Sequence, residues 1–251
     1  MVNPKNKENP ILSLFCNILF PVIILKNGNK WINKFLIMYR GEEWAYQNST
    51  IVDISSIVFF IALIFPVIYF FYDLLNRKNI NFISIFGFIN ILLTGGIGIF
   101  GAKLGLSKFW FILKEGMLPI LIGLMLIIMS KYRESSFKNI LLNKVLFDID
   151  KISVAIKEDM RYKFEYIIRK AGYHLIAGFF ISSIIQFGLA SLIVVSNPGE
   201  SSFSKEVSTM TWVSYIAVLL PTMLIVGKGY LGLISGIEKI TGLRKEEFLK
   251  S

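Results

Sequence analysis

Apolar residues in this chain gather in long blocks rather than in short alternating runs. Six blocks stand out, at residues 11–25, 51–75, 83–100, 109–130, 173–195 and 207–234. A helix that crosses a bilayer needs about 20 predominantly apolar residues. The pattern therefore predicts an all-α, polytopic membrane bundle of six transmembrane helices. Five is the alternative, because 11–25 is short and broken by Pro21. After the first block, Trp31, Ile32, Phe35, Leu36 and Tyr39 have the spacing of a short interfacial helix. Residues 131–170 are polar but keep an apolar position every three or four, from Phe137 through Ile149 and Met160 to Ile167. That spacing predicts an amphipathic helix, capping the bundle, lying in the membrane plane or extending a neighbouring span. No Gly or Pro falls between Gly123 and Gly172, so little would interrupt it. Residues 235–251 read as a basic tail, and 1–251 as a single membrane domain.

Inside the blocks, small and polar residues recur at helical spacing. The third carries Gly87, Asn90, Thr94, Gly98, Gly101 and Gly105. The fifth carries His174, Gly178, Ser182, Gln186 and Ala190. The sixth carries Ser208, Thr211, Tyr215, Thr222, Gly229, Gly232 and Gly236. Such stripes bring helices close together and let Ser, Thr and Gln bond across them, or they line a polar conduit. In a conduit, Asn90, Gln186 and Thr222 would be the midplane lining. Phe20-Pro21-Val22-Ile23 recurs as Phe65-Pro66-Val67-Ile68, and Pro119 and Pro221 hold similar mid-span places. Each proline removes one backbone hydrogen bond.

The fourth block holds adjacent charges, Lys114 and Glu115. Near a bilayer centre each costs roughly 2.5–3.5 kcal/mol, so each needs a partner or water. Helical neighbours point about 100° apart, which argues against the two pairing with each other. Asp53 is the expected partner of Lys114, and Lys108, two turns earlier on the same face, that of Glu115. The candidate solute or ion pathway is thus Asn90, Thr94, Lys114, Glu115, Gln186, Tyr215 and Thr222. A structural ion pair locking two helices is the alternative.

Composition narrows the classes. Apolar residues make up 54% of the chain, its mean hydropathy is +0.62 and its net charge is +10. The cations bracket the apolar blocks, which encodes topology and argues against nucleic acid as partner. Nineteen of the 27 Lys and Arg fall on one side of the predicted bundle and seven on the other, Lys114 lying within a span. That bias puts both termini in the cytoplasm. One cysteine, Cys16, and one histidine, His174, leave no ligand set for a metal and no disulfide framework. The order of residues shows no catalytic constellation, no cofactor motif and no cleavable signal peptide. Gly227–Gly232 matches G-x-G-x-x-G but lies in an apolar block without the strand that a dinucleotide site requires. Asn48-Ser49-Thr50 is a formal glycosylation acceptor.

Phe20-Pro21-Val22-Ile23, Phe82–Gly87, Leu93-Thr94-Gly95-Gly96, Phe111–Glu115 and Thr241-Gly242-Leu243 together resemble a bacterial inner-membrane family of vibrios and relatives, sometimes labelled transporter-like. The region from Ile51 to Lys131 is also similar to intracellular septation protein A. The first resemblance implies a multi-pass inner-membrane protein. The second implies an envelope or division role through protein partners; neither brings catalytic residues. The expectation is a transporter- or channel-like protein for a small or lipidic solute, and not an enzyme. The rival is a non-transporting cell-envelope protein acting through partners or membrane lipids. The glycine stripes would also suit a homodimer.

Overall fold

The computed structural model describes residues 12, 15–42, 54–77, 82–143 and 146–250, with the backbone alone at 76–77 and 82–87. Asp53 and the Asn48 acceptor lie outside the described residues. Within them the secondary structure is helical, with one isolated bridge, Phe147 to Leu249. A π-helical turn, Phe15–Leu19, leads into α1, Phe20–Arg40. Then follow α2, Ile54–Arg77, α3, Phe82–Phe100, and α4, Lys108–Tyr132. Two short helices, α5, Glu134–Leu141, and α6, Ile149–Ala155, precede α7, Arg161–Ile193. The chain closes with α8, Phe203–Thr241, and α9, Lys245–Phe248.

Four stretches are long and apolar enough to cross a membrane: Ile54–Leu75, Lys108–Tyr132, Glu158–Ile193 and Phe203–Thr241. The chain is therefore compatible with an integral membrane protein. At 1.5 Å per residue, the 33 residues of α7 run about 50 Å and the 39 of α8 about 58 Å. Both overrun a hydrocarbon core of about 30 Å.

The chain forms two compact units. The first comprises 1–115 and 187–215, the second 116–186 and 216–251. In the first, Val58, Phe59 and Ala62 of α2 pack with Leu25, Phe111, Ala190, Val194, Phe203, Val207 and Met210. Gly28 of α1 sits against Val58, where an added Cβ would come within 2.8 Å. Phe20 and Phe65, the first residues of the repeated Phe-Pro-Val-Ile, meet with ring centroids 5.2 Å apart. Helix α1 does not stop at Leu25: it continues to Arg40, so the short first block and the interfacial segment are one helix. Pro21 stands at its first turn, directly after the π-helical turn.

In the second unit, the expected amphipathic segment is not one helix. It breaks after Leu141 and again around Lys157, and Asp148 caps α6 by accepting from the Lys151 N–H at 3.3 Å. The breaks fold Phe137, Leu141, Leu142, Phe147 and Ile152 onto Leu126, Ile168, Leu233 and Ile237. A straight helix could not converge those side chains on one core. Helix propensity is a weak prior that such packing overrides.

The expected basic tail is also part of this cap. Phe248 is fully buried and stacks on Phe147, 6.4 Å between centroids and 6° between planes. The Asp148 N–H donates to the Phe248 carbonyl at 2.7 Å, and the Lys250 N–H donates to the Leu146 carbonyl at 2.9 Å. Burying a phenylalanine side chain is worth about 1.5–3 kcal/mol, enough to hold a short segment that charge alone would leave in water.

Candidate functional site

The first unit brings four of the predicted residues together. Helical spacing places Asn90 and Thr94 one turn apart on α3, and the Thr94 hydroxyl donates to the Asn90 carbonyl at 2.9 Å. Its proton is thereby used and its lone pairs stay open. Lys114 reaches these groups from α4. Its Nζ donates to Asn90 Oδ1 at 3.0 Å, to Thr94 Oγ1 at 2.7 Å and to Glu115 Oε1 at 2.5 Å. An ammonium has three protons, and each has found an oxygen. The Phe111 ring, one turn back on α4, lies 4.8 Å from the same nitrogen, close enough for a cation–π contact. Lys114 is 8% exposed.

Asp53, the expected partner of Lys114, lies outside the described residues, and the expected partner of Glu115 is replaced. Lys114 and Glu115 pair with each other, because a lysine stem of four methylenes can swing through the 100° that separates neighbouring Cβ directions. Lys108 is not the partner of Glu115. Its Nζ donates to the Val195 carbonyl at 3.0 Å and its backbone N–H to Asn197 Oδ1 at 3.0 Å. It ties the start of α4 to the loop between α7 and α8.

That loop is a polar hub that sequence spacing did not single out. Glu206 accepts from the backbone N–H of Val195 and Ser196, at 3.0 and 2.9 Å, and from the Ser196 hydroxyl at 2.7 Å. Asn29 donates to the Ser201 carbonyl at 2.8 Å and to Ser204 Oγ at 3.1 Å. The one available signal was Asn197-Pro198-Gly199, whose Gly199 has φ +94°, a backbone conformation glycine adopts without strain.

The stripes are filled in part: an added Cβ on Gly105 or Gly232 would meet nothing within 4 Å, whereas others are covered by neighbouring side chains. Any Cβ on Gly95 would overlap Leu63, and one on Gly98 would overlap the Phe59 ring. The Ser56 hydroxyl of α2 donates to the Ile99 carbonyl of α3 at 2.7 Å, and Ser208 donates to the Val22 carbonyl at 3.0 Å. In the second unit, Cβ atoms on Gly178, Gly229 and Gly236 would come within 2.7, 2.6 and 2.7 Å of Val226, His174 and Ile167. Ser183 donates to the Gly116 carbonyl at 2.6 Å. That carbonyl is one residue beyond the Glu115 carbonyl, which loses its helical donor to Pro119. His174 Nδ1–H donates to the Lys170 carbonyl at 2.9 Å. The G-x-G-x-x-G run lies within α8, with Gly229 packed on His174.

The remaining pathway candidates are Tyr215, Gln186 and Thr222. Tyr215, two-fifths exposed on α8, stands within coulombic reach of the Glu115 carboxylate. Gln186 and Thr222 belong to the second unit. The Thr222 hydroxyl is buried without a hydrogen-bond partner, and its methyl faces Gly178.

Compared with known proteins, the chain matches no protein-family model, no curated protein and no solved structure.

Proposed function

We propose that this chain is a non-transporting integral membrane protein, anchored by a packed helical bundle and acting through lipids or protein partners at its capped end. One observation carries the reading. The charged group inside the span has all three ammonium protons taken by Asn90, Thr94 and Glu115, so Lys114 has no donor left for a solute. The close packing at Gly98, Gly101, Gly178, Gly229 and Gly236 supports the same reading, because neighbouring groups occupy the space beside those positions. In this reading the cluster locks α3 to α4 at a net charge of zero, about 9 Å from Lys108 along the helix.

The bias of Lys and Arg supports a cytoplasmic cap and two cytoplasmic termini in a bacterial inner membrane. Six crossings, or five if the region of α1 does not cross, fit that bias. The resemblance to septation protein A supports envelope or division proteins as partners.

A second reading rests on Glu115. Its Oε2 has no hydrogen-bond partner among the described residues, its side chain is 16% exposed, and Tyr215 is nearby. A protonatable carboxylate at that depth is what a proton-coupled transporter uses. Purified protein in liposomes loaded with a pH dye decides between the two. The proposal expects proton leak equal to that of empty vesicles, for wild type and Glu115→Gln alike. Leak that requires wild-type Glu115 would favour transport.

A further inference from the structure

We propose that one face of α7 seats the headgroup of an anionic phospholipid, its phosphate held by Arg169, Lys170 and Tyr173. This rests on the reading of the chain as membrane-spanning and extends the proposed action through lipid to a headgroup class.

The face is drawn by helical geometry. Taking Tyr162 as zero and 100° per residue, Tyr166 falls at about 40°, Arg169 at about −20°, Tyr173 at about 20° and Ile184 at about 40°. All five share an arc of about 60°, and Lys170 flanks Tyr173 on the far side from Arg169. Each of them is exposed: Tyr162 by 82%, Tyr166 and Tyr173 by 60% and Ile184 by 72%, with Arg169 and Lys170 also open. Phe180, at about 0° on the same arc, is half-buried against Gly123 of α4, so the open part of this face that carries polar groups is the stretch from Tyr162 to Tyr173.

That polar stretch begins at the depth where a leaflet ends. Ile184 and Tyr173 are 11 residues apart, about 16 Å along the axis, close to the half-thickness of a hydrocarbon core of about 30 Å. Helix α4 marks the same level. A Cβ on its Gly123 would contact Phe179 and Phe180, and Ser183 bonds to its Gly116. The two helices therefore run antiparallel, and Lys131 and Tyr132, both exposed, come opposite the region of Ala171. Lys131 Nζ lies 5.5 Å from the Tyr132 ring centroid. Tyrosine rings with basic neighbours at the end of an apolar face are what a headgroup layer accommodates.

Charge selects the headgroup. Between Arg161 and Tyr173 the chain has four cations and one carboxylate, Glu165. Glu165 pairs with Lys138, and Arg161 with Glu158 at 3.4 Å. Lys163, Arg169 and Lys170 have no carboxylate within ion-pair distance among the described residues. Arg169 can grip a phosphate with its planar fork while Lys170 adds a point charge. Two such cations near a surface account for about a thirtyfold preference for anionic lipid.

The test is native mass spectrometry of the purified full chain, titrated with phosphatidylglycerol or with phosphatidylcholine of the same acyl chains. Thermal unfolding is recorded in parallel. The proposal expects phosphatidylglycerol to be retained and to raise Tm, with phosphatidylcholine doing neither. R169Q/K170Q should weaken that retention about thirtyfold while leaving Tm in phosphatidylcholine unchanged, which shows that the variant folds. Equal retention of both lipids, or undiminished retention by the variant, would overturn it. So would a Tm shift reproduced by glycerol phosphate alone, which would make this a soluble-anion site. Proton leak has no bearing on these outcomes, so this proposal and the non-transporting reading fail separately.

Discussion

Lys114 and Glu115 are consecutive residues on one helix, and their side chains nonetheless close an ion pair of 2.5 Å inside an apolar span. The pair is neutral as a unit, and Asn90 and Thr94 of α3 take the two ammonium protons that Glu115 leaves. Replacing Asn90 with leucine would keep the branched shape but strand one buried donor. The expected cost is about 1–3 kcal/mol, read as a lower midpoint on SDS unfolding in mixed micelles.

Gly95 and Gly96 are neighbours with opposite surroundings. A Cβ on Gly95 would overlap Leu63, whereas one on Gly96 would meet nothing within 4 Å. Gly95→Ala should therefore destabilise the first unit by about 1–3 kcal/mol through overpacking. Gly96→Ala should be neutral or stabilising, by up to about 1 kcal/mol of helix propensity. Thermal unfolding of the two variants side by side checks the contrast.

The Thr222 hydroxyl is buried with no partner. Thr222→Val retains the branched shape and deletes the unsatisfied oxygen. The variant should be more stable than wild type by about 1 kcal/mol. A loss of stability on differential scanning calorimetry would show that the hydroxyl is engaged.

Phe248 fills the core of the cap against Phe147. Phe248→Ala should cost about 3–5 kcal/mol locally. The expected signature is faster amide exchange at Ile152 and Leu142, with exchange in α2 unchanged.

Much of this arrangement was legible in the chain itself. The long apolar blocks at 51–75, 109–130, 173–195 and 207–234 each overlap a helix long enough to span over most of their length, because block length responds directly to the solvent that must be crossed. Asn90, Thr94, Lys114 and Glu115 were named from spacing and cost, and they do converge. Their partners were not legible. Neighbouring Cβ directions on a helix diverge by about 100°, but a side chain as long as lysine's is not confined to its Cβ direction. The ties from Lys108 to Val195 and Asn197 join residues 87 and 89 apart in sequence, beyond what local periodicity encodes. Residues 131–170 kept helical spacing throughout, yet tertiary packing broke the helix to bury Phe137, Phe147 and Ile152 together. The one sign of a folded tail was Phe248, a lone aromatic among Lys, Arg and Glu.

The locking role of the intramembrane pair is tested most directly by a double-mutant cycle on Lys114→Met and Glu115→Leu, followed by SDS unfolding. Removing one partner leaves a buried charge uncompensated, so each single variant should lose about 3–5 kcal/mol. The double variant removes both charges and should recover most of that loss, ending near wild type. A double variant as unstable as the two single losses combined would contradict the lock. So would a Glu115→Leu variant that loses nothing, since Glu115 would then be free of Lys114 and available to a solute.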